Sequence, residues 1–83
     1  MDLDQGTFKK KVGERIAELR KKKHLSQSDL ARAAGKDVQS IFKIENGLFN
    51  PSAYYLFQIA EALEISMKEL WDFEVRGEKG RKE

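Results

Sequence analysis

Apolar side chains recur at the three- and four-residue intervals of amphipathic helices in five short stretches, punctuated by glycine, serine and asparagine. Phe8, Val12, Ile16 and Leu19 fall on one stripe of a helix expected over residues 8–23, with Thr7 as its N-cap and lysines and arginines on the other faces. Gly13 lies inside this stretch and costs about 1 kcal/mol of helix propensity, so another element is expected to pack closely against it. A second helix is expected over residues 27–34, opened by a capping box between Ser26 and Asp29 and closed by Gly35. A third is expected over residues 38–45, with Asp37 as N-cap and Asn46-Gly47 as terminator. Leu56, Ile59, Ala60 and Leu63 mark a fourth after Ser52, and Ser66 caps a short fifth that starts at Met67 and turns Leu70 inward. No strand-like alternation runs for more than a few residues, so the pattern predicts an all-α fold.

The 83 residues suffice for one domain, divided here into an N-terminal arm over residues 1–6, a helical domain over residues 7–73 and a charged tail over residues 74–83. With 40% hydrophobic residues the chain can build a core but has little depth for a closed catalytic cavity. It contains no cysteine, which removes disulfides, thiol chemistry and cysteine-based zinc sites. His24, the single histidine, has no second ligand of its kind, so no metal is expected. No apolar run approaches the roughly 20 residues that cross a bilayer, and the acidic, polar start is unlike a signal peptide; a cytoplasmic location is expected.

Charge is unevenly placed. Residues 1–52 hold 11 Lys/Arg against 7 Asp/Glu, whereas residues 53–83 hold 5 against 7. The densest excess lies over residues 9–23, with eight basic residues against Glu14 and Glu18. Such asymmetry favours a polyanion on one face, although a solvated lysine-rich helix face has the same composition.

Two short helices joined by a glycine turn, over residues 26–34 and 37–45, make a helix-turn-helix pattern. Here the chain resembles the Cro and phage-repressor (lambda repressor-like) helix-turn-helix family. The resemblance runs through Leu25-Ser26-Gln27-Ser28-Asp29-Leu30-Ala31, Ala34-Gly35, Ser40-Ile41 and Ile44-Glu45-Asn46-Gly47. It continues through Asn50-Pro51-Ser52, Ile59-Ala60-Glu61-Ala62-Leu63 and Ile65-Ser66-Met67-Lys68-Glu69-Leu70. The order and spacing of these pieces over about residues 8–73 carry it. It implies a compact five-helix DNA-binding domain with the helix-turn-helix at its second and third helices.

At about 100° per residue, Ile41, Ile44 and the stem of Glu45 share an inward arc of the third helix, and Val38, Gln39, Phe42, Lys43 and Asn46 an outward one. Gln39 can pair bidentately with adenine, Lys43 can donate to guanine or to a phosphate, and Val38 and Phe42 can meet thymine methyls. The resemblance implies Val38, Gln39 and Lys43 as first readers. For Phe42 the alternative is burial against a partner or a loop. The start of the second helix suits an anion at Gln27, and the resemblance puts Asn46 and Asn50 beside phosphates, where turn chemistry is the alternative. Lys36 stands where the family more often has an apolar residue; it is either a phosphate contact or the mark of a looser turn. The resemblance also implies a structural ion pair between Arg20 and Glu45. Trp71 and Phe73 either close the core or form a dimer seam, and Tyr54 and Tyr55 reach toward DNA backbone or a second subunit.

These readings converge on a transcriptional regulator that binds double-stranded DNA as a homodimer on a palindromic operator. An antitoxin or a restriction–modification controller component, which also binds a partner protein, is the alternative. An enzyme is disfavoured: there is no glycine-rich phosphate loop and no spaced set of metal ligands, and no cofactor or small-molecule ligand is implied.

Overall fold

The computed structural model describes residues 4–73, and among them every regular element is helical. They are α1 (Gln5–Lys22), α2 (Gln27–Ala34), α3 (Val38–Glu45), α4 (Ala53–Leu63) and α5 (Met67–Leu70). The charged tail expected over residues 74–83 lies outside the described residues.

Caps delimit the helices. Ser26 and Asp29 exchange side-chain and backbone hydrogen bonds of 2.9 Å in both directions, the expected capping box. Asp37, Ser52 and Ser66 each accept the backbone N–H three residues on, at 2.7, 3.0 and 3.0 Å. Gly35 ends α2 at φ 69°, a left-handed turn open to glycine, and the Lys36 N–H closes back on the Ala31 carbonyl at 2.8 Å. At the other end of the chain the expectation fails: Asp4, not Thr7, caps α1, and the Thr7 N–H donates to Asp4 Oδ1 at 2.7 Å. Aspartate and threonine are both good caps three residues apart, and the earlier one wins because it adds a turn of helix. Gln5 and Gly6, expected in the arm over residues 1–6, are therefore helix.

Each helix sends at least one aliphatic side chain into a common core. Ile16, Leu30, Ile41, Ile44, Ile59, Leu63 and Leu70 are fully buried, each contributing about 1.5–3 kcal/mol of transfer free energy against the entropy of ordering it. α1 lies against α3, α2 against both α3 and α4, and α5 closes the end between α4 and α1. The close approach expected at Gly13 is there: a Cβ on it would stand 2.2 Å from the Ile44 carbonyl oxygen, so α1 and α3 touch backbone to backbone.

Two ties fasten the end of α5, of which only the first was not foreseen. The Arg15 guanidinium donates to the Glu69 carbonyl at 2.8 and 3.3 Å, placing a cation on the last turn of this four-residue helix. Phe8 stacks on Trp71 at 5.7 Å between centroids, and Trp71 on Phe73 at 5.7 Å. Trp71 and Phe73 thus close the fold against the start of α1 while remaining half-buried. Tyr55 corrects a further expectation. It is buried in the core at the α3–α4 junction rather than reaching outward, and only Tyr54 stays exposed.

Candidate nucleic-acid interface

α3 divides as its pattern predicts. Ile41, Ile44 and Glu45 are buried, whereas Val38 (43%), Gln39, Phe42 (51%) and Lys43 face out. The exposed face mixes two apolar groups with an amide and an ammonium, a set able to meet methyls, base edges and phosphates. Among the described residues no loop covers Phe42.

Behind that face sits a buried polar anchor. Arg20 Nε donates to Glu45 Oε2 at 2.6 Å and Nη2 to Oε1 at 3.0 Å, a bidentate pair, and Nη1 donates to the Leu25 carbonyl at 2.8 Å. The expected ion pair is therefore present, with both partners about nine-tenths buried. Gln27 joins it, its amide donating to Glu45 Oε1 at 2.9 Å. One carboxylate thereby gathers α1, α2 and α3.

The residues read as phosphate contacts are placed unequally. Gln27 spends one amide hydrogen on Glu45; its second hydrogen and the backbone N–H groups at the start of α2 are what it has for an anion. Asn46 uses its side-chain amide to cap α3 at the Phe42 carbonyl, 2.9 Å away, so turn chemistry accounts for at least one of its donors. Lys36 lies over the Tyr55 ring with Nζ 4.5 Å from the centroid, a cation–π contact inside the fold. Asn50 is exposed in the loop before α4. A shallow hollow of about 250 Å³ borders the outward face, lined by Asp37, Gln39, Ser40, Lys43 and Phe49.

Tyr55 and Phe49 are the participants that the sequence reading missed. Tyr55 precedes Ile59 by four residues and Leu63 by eight, so the α4 stripe could have placed it inward. Nothing in the local pattern pointed to Phe49, which packs edge-on against Tyr55 at 5.0 Å from a loop.

Residues 16–70 match the helix-turn-helix family HTH_3. The chain belongs to this family. The matched span runs from the middle of α1 to the end of α5 and includes the buried anchor, the turn and all of α3. Among curated relatives, the chain is 36% identical over 63 residues to the HTH-type transcriptional regulator y4dJ of Sinorhizobium fredii, covering 76% of this chain and 82% of that protein. It is 38% identical over 61 residues to the ImmF control region 10 kDa protein of Bacillus phage phi105, covering 74% and 68%. Among solved structures, the restriction-modification controller protein C.AhdI from Aeromonas hydrophila superposes with a TM-score of 0.74 at 38% identity, over 76% of this chain and 96% of that one. The fold is thus a helix-turn-helix domain of the transcriptional-regulator type. Among the described residues no helix is long and apolar enough to cross a membrane.

Proposed function

We propose that this member of the family binds double-stranded DNA in a sequence-specific way, lays α3 in the major groove and regulates transcription as a homodimer on a palindromic operator. The observation that carries the reading is the division of α3. Val38, Gln39, Phe42 and Lys43 stand free on one face, while Glu45 on the other is locked to Arg20 and Gln27. A surface-exposed helix fixed from behind is what base readout needs. Gln39 and Lys43 supply the hydrogen bonds, Val38 and Phe42 the methyl contacts, and Gln27, Lys36, Asn46 and Asn50 flank them toward the phosphates. Lys21, Lys22 and Lys23, exposed at the end of α1, add cationic surface. For a second copy, the half-buried Trp71 and Phe73 and the exposed, mutually stacked Tyr54 and Phe57 are the apolar groups on offer.

Selection of bound duplexes from a random pool, repeated at rising salt, tests this reading. We expect an enriched palindrome whose half-sites lie about one helical turn (~34 Å) apart. Affinity should drop steeply with salt as bound phosphates release counterions. A pool that stays unenriched, or binding that ignores salt, rejects the reading. A monomer by light scattering, even on the selected duplex, rejects the homodimer. Likeness to C.AhdI over nearly all of that chain favours one narrower role, control of a restriction–modification operon. Adjacent endonuclease and methyltransferase genes would support it, and a neighbouring toxin gene with a co-purifying product would support the antitoxin role instead.

A further inference from the structure

We infer that Tyr55 is a positioning residue for base reading: it fixes the roll of α3 about its own axis and so decides where Gln39 and Lys43 meet the bases. The inference rests on α3 being the recognition helix, as proposed above. Ile41 and Ile44 bury the apolar side of α3, but apolar burial is non-directional. A two-turn helix held by it alone keeps freedom to roll. Directional polar contacts remove that freedom, and α3 has one on each flank of its apolar stripe. At about 100° per residue, Glu45 and Ser40 lie on opposite sides of the Ile41–Ile44 line. Glu45 is held by Arg20 and Gln27. Ser40 is held by Tyr55, hydroxyl to hydroxyl.

Tyr55 is itself held on three sides. Its ring is buried, Phe49 packs edge-on against it, and the Lys36 ammonium covers its face. One side chain of α4 therefore connects the helix-turn-helix turn, the recognition helix and the loop that follows. Burial also raises the phenol above its ordinary pKa, so the hydroxyl stays neutral and able to pair with Ser40.

The two flanks serve different readers. Val38 and Phe42 fall on the side of Glu45, whereas Gln39 and Lys43 fall on the side of Ser40 and border the same hollow as Ser40 and Phe49. A roll of about 10° moves a tip roughly 6 Å from the helix axis by about 1 Å. That is enough to take a bidentate amide–adenine pair out of hydrogen-bond range. Such a roll carries all four outward side chains with it, so loss of the Tyr55 hydroxyl should blur the bases read through the directional hydrogen bonds of Gln39 and Lys43 more than those met by the non-directional methyl contacts of Val38 and Phe42.

The experiment compares the wild type, Tyr55→Phe, Ser40→Ala and the double variant, each by duplex selection and by thermal denaturation. Tyr55→Phe keeps the ring, and Ser40→Ala places the best helix former at an α3 position, so both variants retain the fold. Each single variant should lose about three- to tenfold in affinity for the wild-type-selected duplex, the worth of one hydrogen bond. Each should flatten the preference at the same base positions, and the double variant should lose no more than either alone. An unchanged preference profile in the single variants overturns the inference, even where affinity falls with the melting temperature, and leaves the recognition-helix reading intact. A wild type that selects no sequence overturns both.

Discussion

Gly13→Ala is the sharpest test of how α3 is seated. A new Cβ would stand 2.2 Å from the Ile44 oxygen, 2.7 Å from the Glu45 oxygen and 2.8 Å from the Glu45 carbonyl carbon. Ordinary contact begins near 3.4 Å, so α1 and α3 must part by about 1 Å. All three obstructing atoms are backbone, so no side chain can swing aside. Parting the helices loosens Val12 and Ile16 from Ile44 and draws Arg20 away from Glu45, whose bidentate geometry spans α1 and α3. Overpacking of a core usually costs about 1–3 kcal/mol, and the strained ion pair adds to it. The better helix propensity of alanine offsets about 1 kcal/mol. The net expectation is a loss of about 2–3 kcal/mol, or roughly 10–20 °C in Tm for a domain of this size. Urea titration and thermal melting followed by circular dichroism measure it. Gly6→Ala is the internal control: the same substitution in the same helix meets only Asp4 Oδ1, at 3.7 Å, and should be neutral or stabilising by up to about 1 kcal/mol. Equal midpoints for Gly13→Ala and the wild type would refute the close crossing.

Four further outcomes are expected. Removing Arg20 or Glu45 singly, as Arg20→Ala or Glu45→Ala, strands a buried charge and should cost about 3–5 kcal/mol in urea denaturation, with Arg20→Ala also freeing the Leu25 carbonyl. Gln39→Ala should lose about 1–3 kcal/mol on the selected duplex and relax one base position, while Lys43→Ala should also reduce the salt slope if it meets a phosphate. Glu64 ends α4 in the left-handed region at φ 60°, so Glu64→Gly should raise stability by about 0.5–1 kcal/mol, read as a higher Tm. The Asp4 and Asp29 carboxyls are held below the usual carboxylate range, chiefly by the backbone N–H groups of Thr7 and Ser26. A lowered folded-state pKa means their stabilisation is complete above the ordinary carboxylate range and fades as pH falls through the depressed values. Urea midpoints over an acidic pH series should follow that course, and Asp29→Asn should flatten it.

How much of this was legible in the sequence depends on how local each signal is. Helix existence was legible because capping residues and apolar spacing act within a few residues: Ser26, Asp37, Ser52 and Ser66 all cap where the pattern put them. The start of α1 was misread because Asp4 and Thr7 offer equivalent local chemistry. The division of α3 into a seated and a free face followed from helical period alone, and a glycine in mid-helix was enough to expect a close crossing. The Arg20–Glu45 pair came from resemblance rather than from spacing, since 25 residues separate the partners.

Contacts between distant segments were decided only by the tertiary structure. Gln27, Lys36 and Asn46 each have donors that a sequence assigns to any anion nearby. Packing spends some of them on Glu45, on the Tyr55 ring and on the Phe42 carbonyl. Arg15 finds the end of α5, and Tyr55 turns inward to hold Ser40, because α4 and α5 happen to bring those groups within hydrogen-bond reach. Sequence period fixes which way a residue points along its own helix. Whether another helix waits there depends on the loops and the core, and that is set by the whole chain at once.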